Sequence, residues 1–378
     1  ANNPSERTYD SLYYKFDGIG FNDGTKKQIV AINVETKAYE VVTDGTYNIE
    51  QFSVAPDGAS IVFSTVDVEG DNPLYNGGIF KISMSDGEVT KLSDQKNAAN
   101  PVYSPNGEWV AFISGDIHQD LYIVPANGGD AICLSKNYPG TLADMIYTDA
   151  RNYKAPWKPE WSHDSQHILV LSGFQGTNEI VRFTVDQSEE PETVVGGQRT
   201  IINFSYDGEG SVVVAYLAPS TPGRVSLMNI DSGEGVVRTQ RQHTEELTEN
   251  GVYFPEHEVY LDDCHAELLS DMKVVEPETF TYESVDGWKI HGFMLKPANM
   301  EPGKKYPVVL DIHGGPHSTH GYAYFHQLQL YSAQGYAVIY VNPRGSSGYG
   351  QAFAEAVLGE YGTKDMQDII NGVDAALE

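Results

Sequence analysis

The feature that most constrains the fold is a short motif that occurs four times in the first part of the chain. Each copy has an apolar run, a tight turn and a second apolar run, with the turns at Asp57, Asn106, Asp164 and Asp207. Such turns between alternating apolar runs are a strong hairpin signal, and their spacings of 49, 58 and 43 residues are typical of propeller blades. Residues 1–275 are therefore predicted to form a partial, all-β propeller with blades of four antiparallel strands.

In two parts of this region the repeated motif is incomplete. Partial units are expected over residues 11–43, where strand-like runs occur without the leading turn, and over residues 236–269, where the pattern is irregular. An open β-sandwich also contains hairpins of this kind, but it does not require a regular period. The period therefore favours the propeller over the sandwich.

From about residue 276 the pattern changes to one in which strands and helices alternate. The elements predicted there are a hairpin over 280–295 with a two-residue turn, fully buried strands over 308–312 and 336–341, a helix over 322–334, and a last helix that begins at Thr363 and has an apolar stripe of Met366, Ile369, Ile370, Val373 and Leu377. The order strand, helix, strand implies a parallel crossover. Residues 276–378 are therefore predicted to form an α/β domain.

The strand over 308–312 ends in the sequence His-Gly-Gly-Pro-His, which carries the main chemical signal. Two glycines at a strand end allow the backbone N–H groups to turn outward, as a site for a developing oxyanion requires. The loop resembles the one that supplies an oxyanion donor in α/β-hydrolases, and this resemblance implies that Gly315 is the donor, through its backbone N–H. His313 could act as a general base, but its place at the strand end favours a bracing role in the loop.

Two further residues near this loop are candidates for binding or bracing. His317 is predicted either to contact substrate or to pack over the loop. Arg344, between Pro343 and Gly345 after the next strand, is predicted either to bind a carbonyl or carboxylate or to anchor its loop in an ion pair. Both alternatives remain open for each residue.

The motifs of the last hundred residues closely resemble the prolyl oligopeptidase family of serine peptidases. The residues that carry the resemblance are His-Gly-Gly-Pro-His at 313–317, Asn-Pro-Arg-Gly-Ser-Ser-Gly-Tyr-Gly at 342–350, Phe353, Gly359, Tyr361-Gly362, Asp365 and Asp368. The second His and the Asn-Pro-Arg-Gly-Ser string are most similar to the acylaminoacyl-peptidase branch. The resemblance implies a mixed fold class, with an N-terminal β-propeller (1–275) followed by the N-terminal part of an α/β-hydrolase catalytic domain (276–378).

The resemblance also implies an activity and the location of its triad. The family cleaves short peptides by Ser attack and His proton transfer, with the propeller as a size filter, and the expected product here is an N-acylated amino acid. Its Ser, Asp and His are expected beyond residue 378, because the chain contains no G-x-S-x-G. The chain is therefore expected to stop before the nucleophile and to be inactive alone. The alternatives are a non-catalytic propeller scaffold, or a dipeptidyl peptidase or esterase of the same architecture.

Composition narrows the partners and the location. The net charge of −29 disfavours nucleic acid and anionic membranes, and no apolar stretch reaches 18 residues. Two cysteines, Cys133 and Cys264, suit a cytoplasmic protein better than a disulfide framework. No cofactor or metal is expected, since the histidines at 313, 317, 320 and 326 match no zinc spacing. The expected partner is a short peptide substrate, and a homo-oligomer stays open.

Overall fold

The computed structural model describes residues 14–16, 20–21, 24–65, 77–150, 157–231, 258–262 and 264–377. The chain divides into two compact units. The first comprises residues 1–116 and 121–133, and the second comprises residues 117–120 and 134–378. The predicted boundary between 275 and 276 follows a change in secondary-structure pattern instead, and it stays a prediction. The partial unit expected over 236–269 falls largely outside the described residues.

The first unit consists of short antiparallel sheets. Its strands are β1 (Lys15–Phe16), β2 (Gly20–Phe21), β3 (Val30–Ile32), β4 (Tyr39–Val41), β5 (Ile49–Val54), β6 (Ser60–Thr65), β7 (Gly78–Ser83), β8 (Val89–Ser93), β9 (Ala99–Tyr103), β10 (Trp109–Gly115), β11 (Gln119–Pro125) and β12 (Ile132–Cys133). The first two residues of β11 are assigned to the second unit. Strands β1–β2 and β3–β4 form pairs, while β5–β8 and β9–β12 form four-stranded sheets in chain order.

The second unit begins with two more sheets of the same kind. Their strands are β13 (Glu160–Trp161), β14 (His167–Phe174), β15 (Thr177–Thr184), β16 (Glu192–Val195), β17 (Thr200–Tyr206), β18 (Ser211–Ala218), β19 (Thr221–Asn229) and β20 (Val259–Tyr260). Strands β13–β16 and β17–β20 each form an antiparallel set in chain order. One parallel pairing, between Asn178 and Thr200, joins the two sets into a single sheet.

The four predicted turns occupy the same position in these four sets of strands. Each joins the first strand of its set to the second, and each is closed by its own Asp or Asn side chain. Oδ1 of Asp57, Asn106, Asp164 and Asp207 accepts a hydrogen bond from the N–H two residues later, at 2.8–3.1 Å. The following residue has a φ between 62° and 84° in all four turns. The repeat in the sequence is thus a repeat of four-stranded sheets, and their arrangement as a propeller stays a prediction.

The rest of the second unit contains a sheet flanked by helices. The elements are α1 (Ala266–Ser270), β21 (Glu278–Glu283), β22 (Lys289–Leu295), β23 (Val308–Asp311), α2 (His326–Ala333), β24 (Ala337–Asn342), α3 (Gln351–Glu355) and α4 (Lys364–Leu377). The strand order is β21-β22-β24-β23, with β23 and β24 parallel and the other pairs antiparallel. The predicted crossover of strand, helix and parallel strand is present as β23, α2 and β24.

Helices α2 and α4 cover opposite faces of this sheet. Val338 and Tyr340 of β24 pack in a cluster with Leu328 of α2. The alternate residues Ile339 and Val341 pack in a second cluster with α4. Because successive strand side chains point to opposite faces, the two helices lie on opposite sides of the sheet. The carboxyl ends of β23 and β24 are thereby fixed side by side.

Three expectations for this region need correction. The strand over 308–312 is not fully buried: Val308 is 40% exposed and Ile312 is 56% exposed, because β23 pairs only with β24 among the described residues. The hairpin turn has three residues, Val285–Gly287, since the Ser284 N–H bonds the Trp288 carbonyl and thereby closes the loop.

The third correction concerns the buried face of α4. Met366, Ile370 and Leu377 of the predicted stripe are exposed, while Ile369 and Val373 pack against the sheet. The interior positions are shared with Asp365, Asp368 and Gly372 instead. Helical spacing alone did not show this, because the buried carboxylate of Asp368 has a charged partner outside the helix.

Candidate active site

Two loops meet at the carboxyl ends of β23 and β24. We call residues 313–318 the glycine loop and residues 343–350 the arginine loop. Parallel neighbouring strands end at the same edge of a sheet, which is where α/β proteins place their ligand sites. Hydrogen bonds join the two loops: the Ser347 N–H bonds the Ser318 carbonyl (3.2 Å), and the Ser347 hydroxyl bonds the His317 carbonyl (3.1 Å).

Gly315 presents a backbone N–H without a partner among the described residues, and its role as an oxyanion donor stays a prediction. It is exposed, its φ is +134°, and its N–H makes no hydrogen bond to any residue that the structure describes. A Cβ at this position would lie 2.8 Å from the His317 nitrogen and 2.9 Å from the Ser318 nitrogen. Only glycine fits this backbone. An unengaged N–H at the end of a rigid strand can serve a developing negative charge.

His313 holds the glycine loop against the arginine loop. Its Nδ1 lies 2.9 Å from the Gly314 carbonyl and its Nε2 lies 3.0 Å from the Ser346 hydroxyl. The ring is 7% exposed, and burial lowers the pKa of His313 below its usual value. The Ser346 hydroxyl also donates to the Pro343 carbonyl at 2.7 Å, so the contact with Nε2 belongs to a small network inside the loops. Both nitrogens are thus engaged within the protein, which supports the bracing role and not that of a general base.

His317 also connects the two loops, and one of its nitrogens stays unengaged. Its Nδ1 lies 3.0 Å from the Gly345 carbonyl, and the side chain is half-buried. Since a carbonyl only accepts, Nδ1 donates and Nε2 is the acceptor of the neutral ring. Nε2 has no hydrogen bond to a described residue. The contact of Nδ1 agrees with the prediction that His317 packs over the loop. Nε2 could still accept a hydrogen bond from a substrate, so both alternatives stay open.

Arg344 is engaged in a buried ion pair with Asp368 of α4. Its Nε and Nη2 donate to the two carboxylate oxygens at 2.8 Å each, and its backbone N–H donates to Oδ2 at 3.0 Å. The Ser284 hydroxyl also donates to Asp368, and the guanidinium lies over the Trp288 ring, 5.0 Å from its centre. Asp368 raises the pKa of Arg344. This geometry favours the loop-anchoring alternative for Arg344.

The structure adds residues that the sequence did not single out. The Asn342 side chain bonds both the N–H and the carbonyl of His320, at 2.8 and 2.9 Å. Beyond the glycine loop, the chain pairs with residues 145–149, which we call the strap. The Tyr147 N–H bonds the Thr319 carbonyl (2.8 Å), and the Thr319 N–H bonds the Met145 carbonyl (3.1 Å).

The strap also caps the N-terminus of α2. Asp149 Oδ1 and Oδ2 accept the N–H groups of His326 and Gln327 at 2.7 and 2.8 Å. These are N-terminal N–H groups that a helix cannot satisfy itself. The strap is more than 170 residues from its partners in the sequence, so no local signal could have predicted it.

Two negative findings apply to the described part of the chain. No group of three or more His, Cys, Asp or Glu side chains there is placed to hold a metal ion. No helix in the same residues is long and apolar enough to cross a membrane.

Comparison with known proteins shows which family the end of the chain resembles. Residues 322–378, which include the arginine loop, match the sequence profile of the prolyl oligopeptidase family. The uncharacterized peptidase YuxL of Bacillus subtilis is 29% identical over 375 residues, a match that covers 97% of this chain and 53% of that protein. The last part of the chain is therefore similar to the prolyl oligopeptidase family, and the relative that spans nearly the whole chain is named a peptidase. The resemblance inferred from the sequence motifs is thereby confirmed.

Further relatives agree with this family and with a peptidase. Dipeptidyl-peptidase 5 of Porphyromonas gingivalis is 22% identical over 354 residues, which cover 90% of this chain and 46% of that protein. The uncomplexed acylaminoacyl peptidase of Pyrococcus horikoshii superimposes with a TM-score of 0.71 at 22% identity and covers all of this chain. A puromycin-hydrolyzing peptidase of Mycobacterium tuberculosis has a TM-score of 0.63 at 19% identity, covering 93% of the chain. The chain spans about half the length of these relatives.

Proposed function

We propose that the chain is the propeller and the first part of the hydrolase domain of a serine peptidase that removes N-acylated amino acids from short peptides. The observation that carries the proposal is the exposed N–H of Gly315, just beyond β23, which has no hydrogen-bond partner in the described part of the chain. A strand-end donor held by two braced loops is preorganised for the tetrahedral intermediate of acyl transfer. The likeness in fold to an acylaminoacyl peptidase supports the choice of blocked peptides.

The proposed mechanism divides its groups between this chain and the rest of the protein. The chain contributes one oxyanion donor and the loops that orient it. The Ser nucleophile, its His base and the Asp that orients the base belong to the whole protein. The four-stranded repeats are proposed to form a propeller that limits access to short peptides. No cofactor takes part, the proposed location is the cytoplasm, and a homo-oligomer is compatible with the scheme.

A dipeptidyl peptidase is the second candidate, because several curated relatives have that name. The two activities differ in what precedes the scissile bond. An acylaminoacyl peptidase accepts an acetylated residue, whereas a dipeptidyl peptidase requires a free amino terminus two residues from the bond. The chemistry of the oxyanion is the same for both, so Gly315 does not discriminate between them.

The test uses two substrates with the same leaving group. The whole protein is assayed with acetyl-alanyl p-nitroanilide and with alanyl-alanyl p-nitroanilide, and kcat/KM is compared. A preference of at least about tenfold for the acetylated substrate, or roughly 1.4 kcal/mol in the transition state, is expected. The reverse preference would identify a dipeptidyl peptidase.

A control separates both peptidases from a non-catalytic scaffold. The whole protein is treated with a fluorophosphonate probe, which labels an activated serine. Labelling of one serine per molecule is expected, and it should disappear when the serine of the G-x-S-x-G motif is replaced by alanine. A protein that neither labels nor turns over either substrate would be a scaffold, and the proposal would be wrong.

A further inference from the structure

A pair of buried polar atoms lies directly behind the glycine loop. Nε2 of His320 is 3.4 Å from Oδ2 of Asp311, the last residue of β23. His320 is 1% exposed, and neither atom has another hydrogen-bond partner among the described residues. Burying an unpaired polar atom is costly, so a proton shared across this long contact would satisfy both atoms.

The backbone of His320 is fixed by hydrogen bonds, whereas its ring is held mainly by packing. Its backbone is held by the Asn342 side chain. Its ring packs edge-on against the His313 ring, with centroids 5.0 Å apart, and against the Tyr340 ring at the same distance. The His313 ring in turn holds the Gly314 carbonyl. A rotation of the His320 ring would therefore displace the ring that fixes the start of the glycine loop.

The charge states of the pair favour a hydrogen bond from a neutral imidazole to the carboxyl group. Burial lowers the pKa of His320 well below its usual value, and the neighbouring His313 lowers it further. Burial raises the pKa of Asp311, to which the nearby Asp149 also contributes. A hydrogen bond with the Asp311 backbone opposes these two effects on the pKa of His320. A neutral imidazole has a single N–H, and both the carboxylate and the backbone carbonyl of Asp311 can accept it. The contact is then attractive without placing a cation in the interior.

We propose that Asp311 and His320 are positioning residues for the oxyanion donor. The Asp311 carboxylate fixes the His320 ring, the His320 ring supports His313, and His313 holds the glycine loop so that the Gly315 N–H keeps its orientation. This inference rests on the proposed function, in which that N–H binds the oxyanion. Neither residue touches the substrate, so both act on the transition state only through the loop.

The first test compares Asp311→Leu with Asp311→Asn in the whole protein. Leucine is close in volume but cannot accept the hydrogen bond, whereas asparagine keeps an acceptor oxygen. Asp311→Leu should lower kcat about tenfold with KM changed less than about twofold. The reason is that a displaced donor stabilises the transition state less but does not affect binding of the substrate. Binding of a peptide aldehyde, which forms a tetrahedral adduct with the serine, should weaken by a similar factor. Asp311→Asn should lose several-fold less.

The matched control is Glu160→Leu. Glu160 is a partly buried carboxylate in β13 that accepts the Tyr206 N–H at 2.7 Å, and burial raises its pKa as it does that of Asp311. Its loss should lower the melting temperature without changing kcat or aldehyde affinity. An equal fall in kcat for Glu160→Leu and Asp311→Leu would show a general effect of stability and would overturn the positioning role.

A second measurement does not depend on activity. Amide hydrogen exchange of residues 312–322 is followed in the 378-residue chain, where Asp311→Leu should speed exchange in the glycine loop and Glu160→Leu should not. If the parental protein turned over no peptide, the proposed function would fail while exchange would still decide the positioning role. Unchanged exchange and an unchanged kcat in Asp311→Leu would refute the inference.

Discussion

Replacing Asp368 by leucine should destabilise the second unit by about 3 kcal/mol. The Asp368 side chain is fully buried and accepts four hydrogen bonds, one from Ser284 and three from Arg344. Removing one member of a buried ion pair typically costs about 3–5 kcal/mol, because the other charge is left unpaired. Arg344 would keep the Val285 carbonyl at 3.0 Å and the Asp286 carboxylate at 3.6 Å. These contacts place the expected cost at the lower end of that range.

The assay is urea unfolding of the 378-residue chain, followed by the fluorescence of Trp288 beneath the Arg344 guanidinium. The other three tryptophans are first replaced by phenylalanine so that one residue reports; they are Trp109, Trp157 and Trp161. Trp288 lies in the second unit, so its transition reports that unit even if the first unfolds separately.

A double-mutant cycle supplies the control. Arg344→Met combined with Asp368→Leu removes both charges, and buried pairs replaced by apolar residues often lose little stability. The double variant should therefore be more stable than Asp368→Leu alone by at least about 1 kcal/mol. A cost below about 1 kcal/mol for Asp368→Leu, or simple additivity in the cycle, would refute the view that this pair anchors the arginine loop.

Three further predictions follow from the site. Gly315→Ala in the whole protein should lower kcat about 10²–10³-fold, because the Cβ would collide with the following backbone and displace the donor; near-parental kcat in a folded variant would exclude Gly315 as the donor. The 378-residue chain alone should neither turn over acetyl-alanyl p-nitroanilide nor bind a fluorophosphonate stoichiometrically, and labelling of one serine would contradict this. Burial lowers the pKa of His291 to about 4. The unfolded chain therefore binds more protons as the pH falls from about 6.5 towards 4, and stability should fall by up to about 3 kcal/mol over that window. His291→Asn should flatten this pH dependence of the urea midpoint, and an unchanged slope would show that His291 does not contribute.

Local chemistry made much of the strand pattern predictable. The turns at Asp57, Asn106, Asp164 and Asp207 are closed by the side chain of the turn residue itself, so a few neighbouring residues specify each one. The hairpin over 280–295 was predicted from its local Asp-Gly turn, and the crossover was predicted from the order strand, helix, strand. Asp-Gly occurs in hairpin turns of more than one length, so the sequence could not distinguish the predicted two-residue turn from the three-residue turn at Val285–Gly287.

The predictions that were wrong or undecided concern residues whose contacts depend on the tertiary fold. The apolar run over 308–312 could not show whether a second strand covers β23. The helical period of α4 could not show that Asp368 takes an interior position opposite Arg344. Both alternatives for Arg344 were reasonable until its partner was known. Asp311 and His320 are nine residues apart, and only the folded loop brings them into contact.

The strap has a consequence for how the chain could be divided. A fragment cut at the predicted boundary of 275 and 276 would keep every residue of α2 and of the sheet beneath it. It would lose the Asp149 carboxylate that caps α2 and the Met145 and Tyr147 backbone groups that hold Thr319. Such a fragment would have an unanchored segment after the glycine loop and a frayed first helical turn. A fragment that is meant to contain a stable α/β sheet should therefore begin before the strap, not at residue 276.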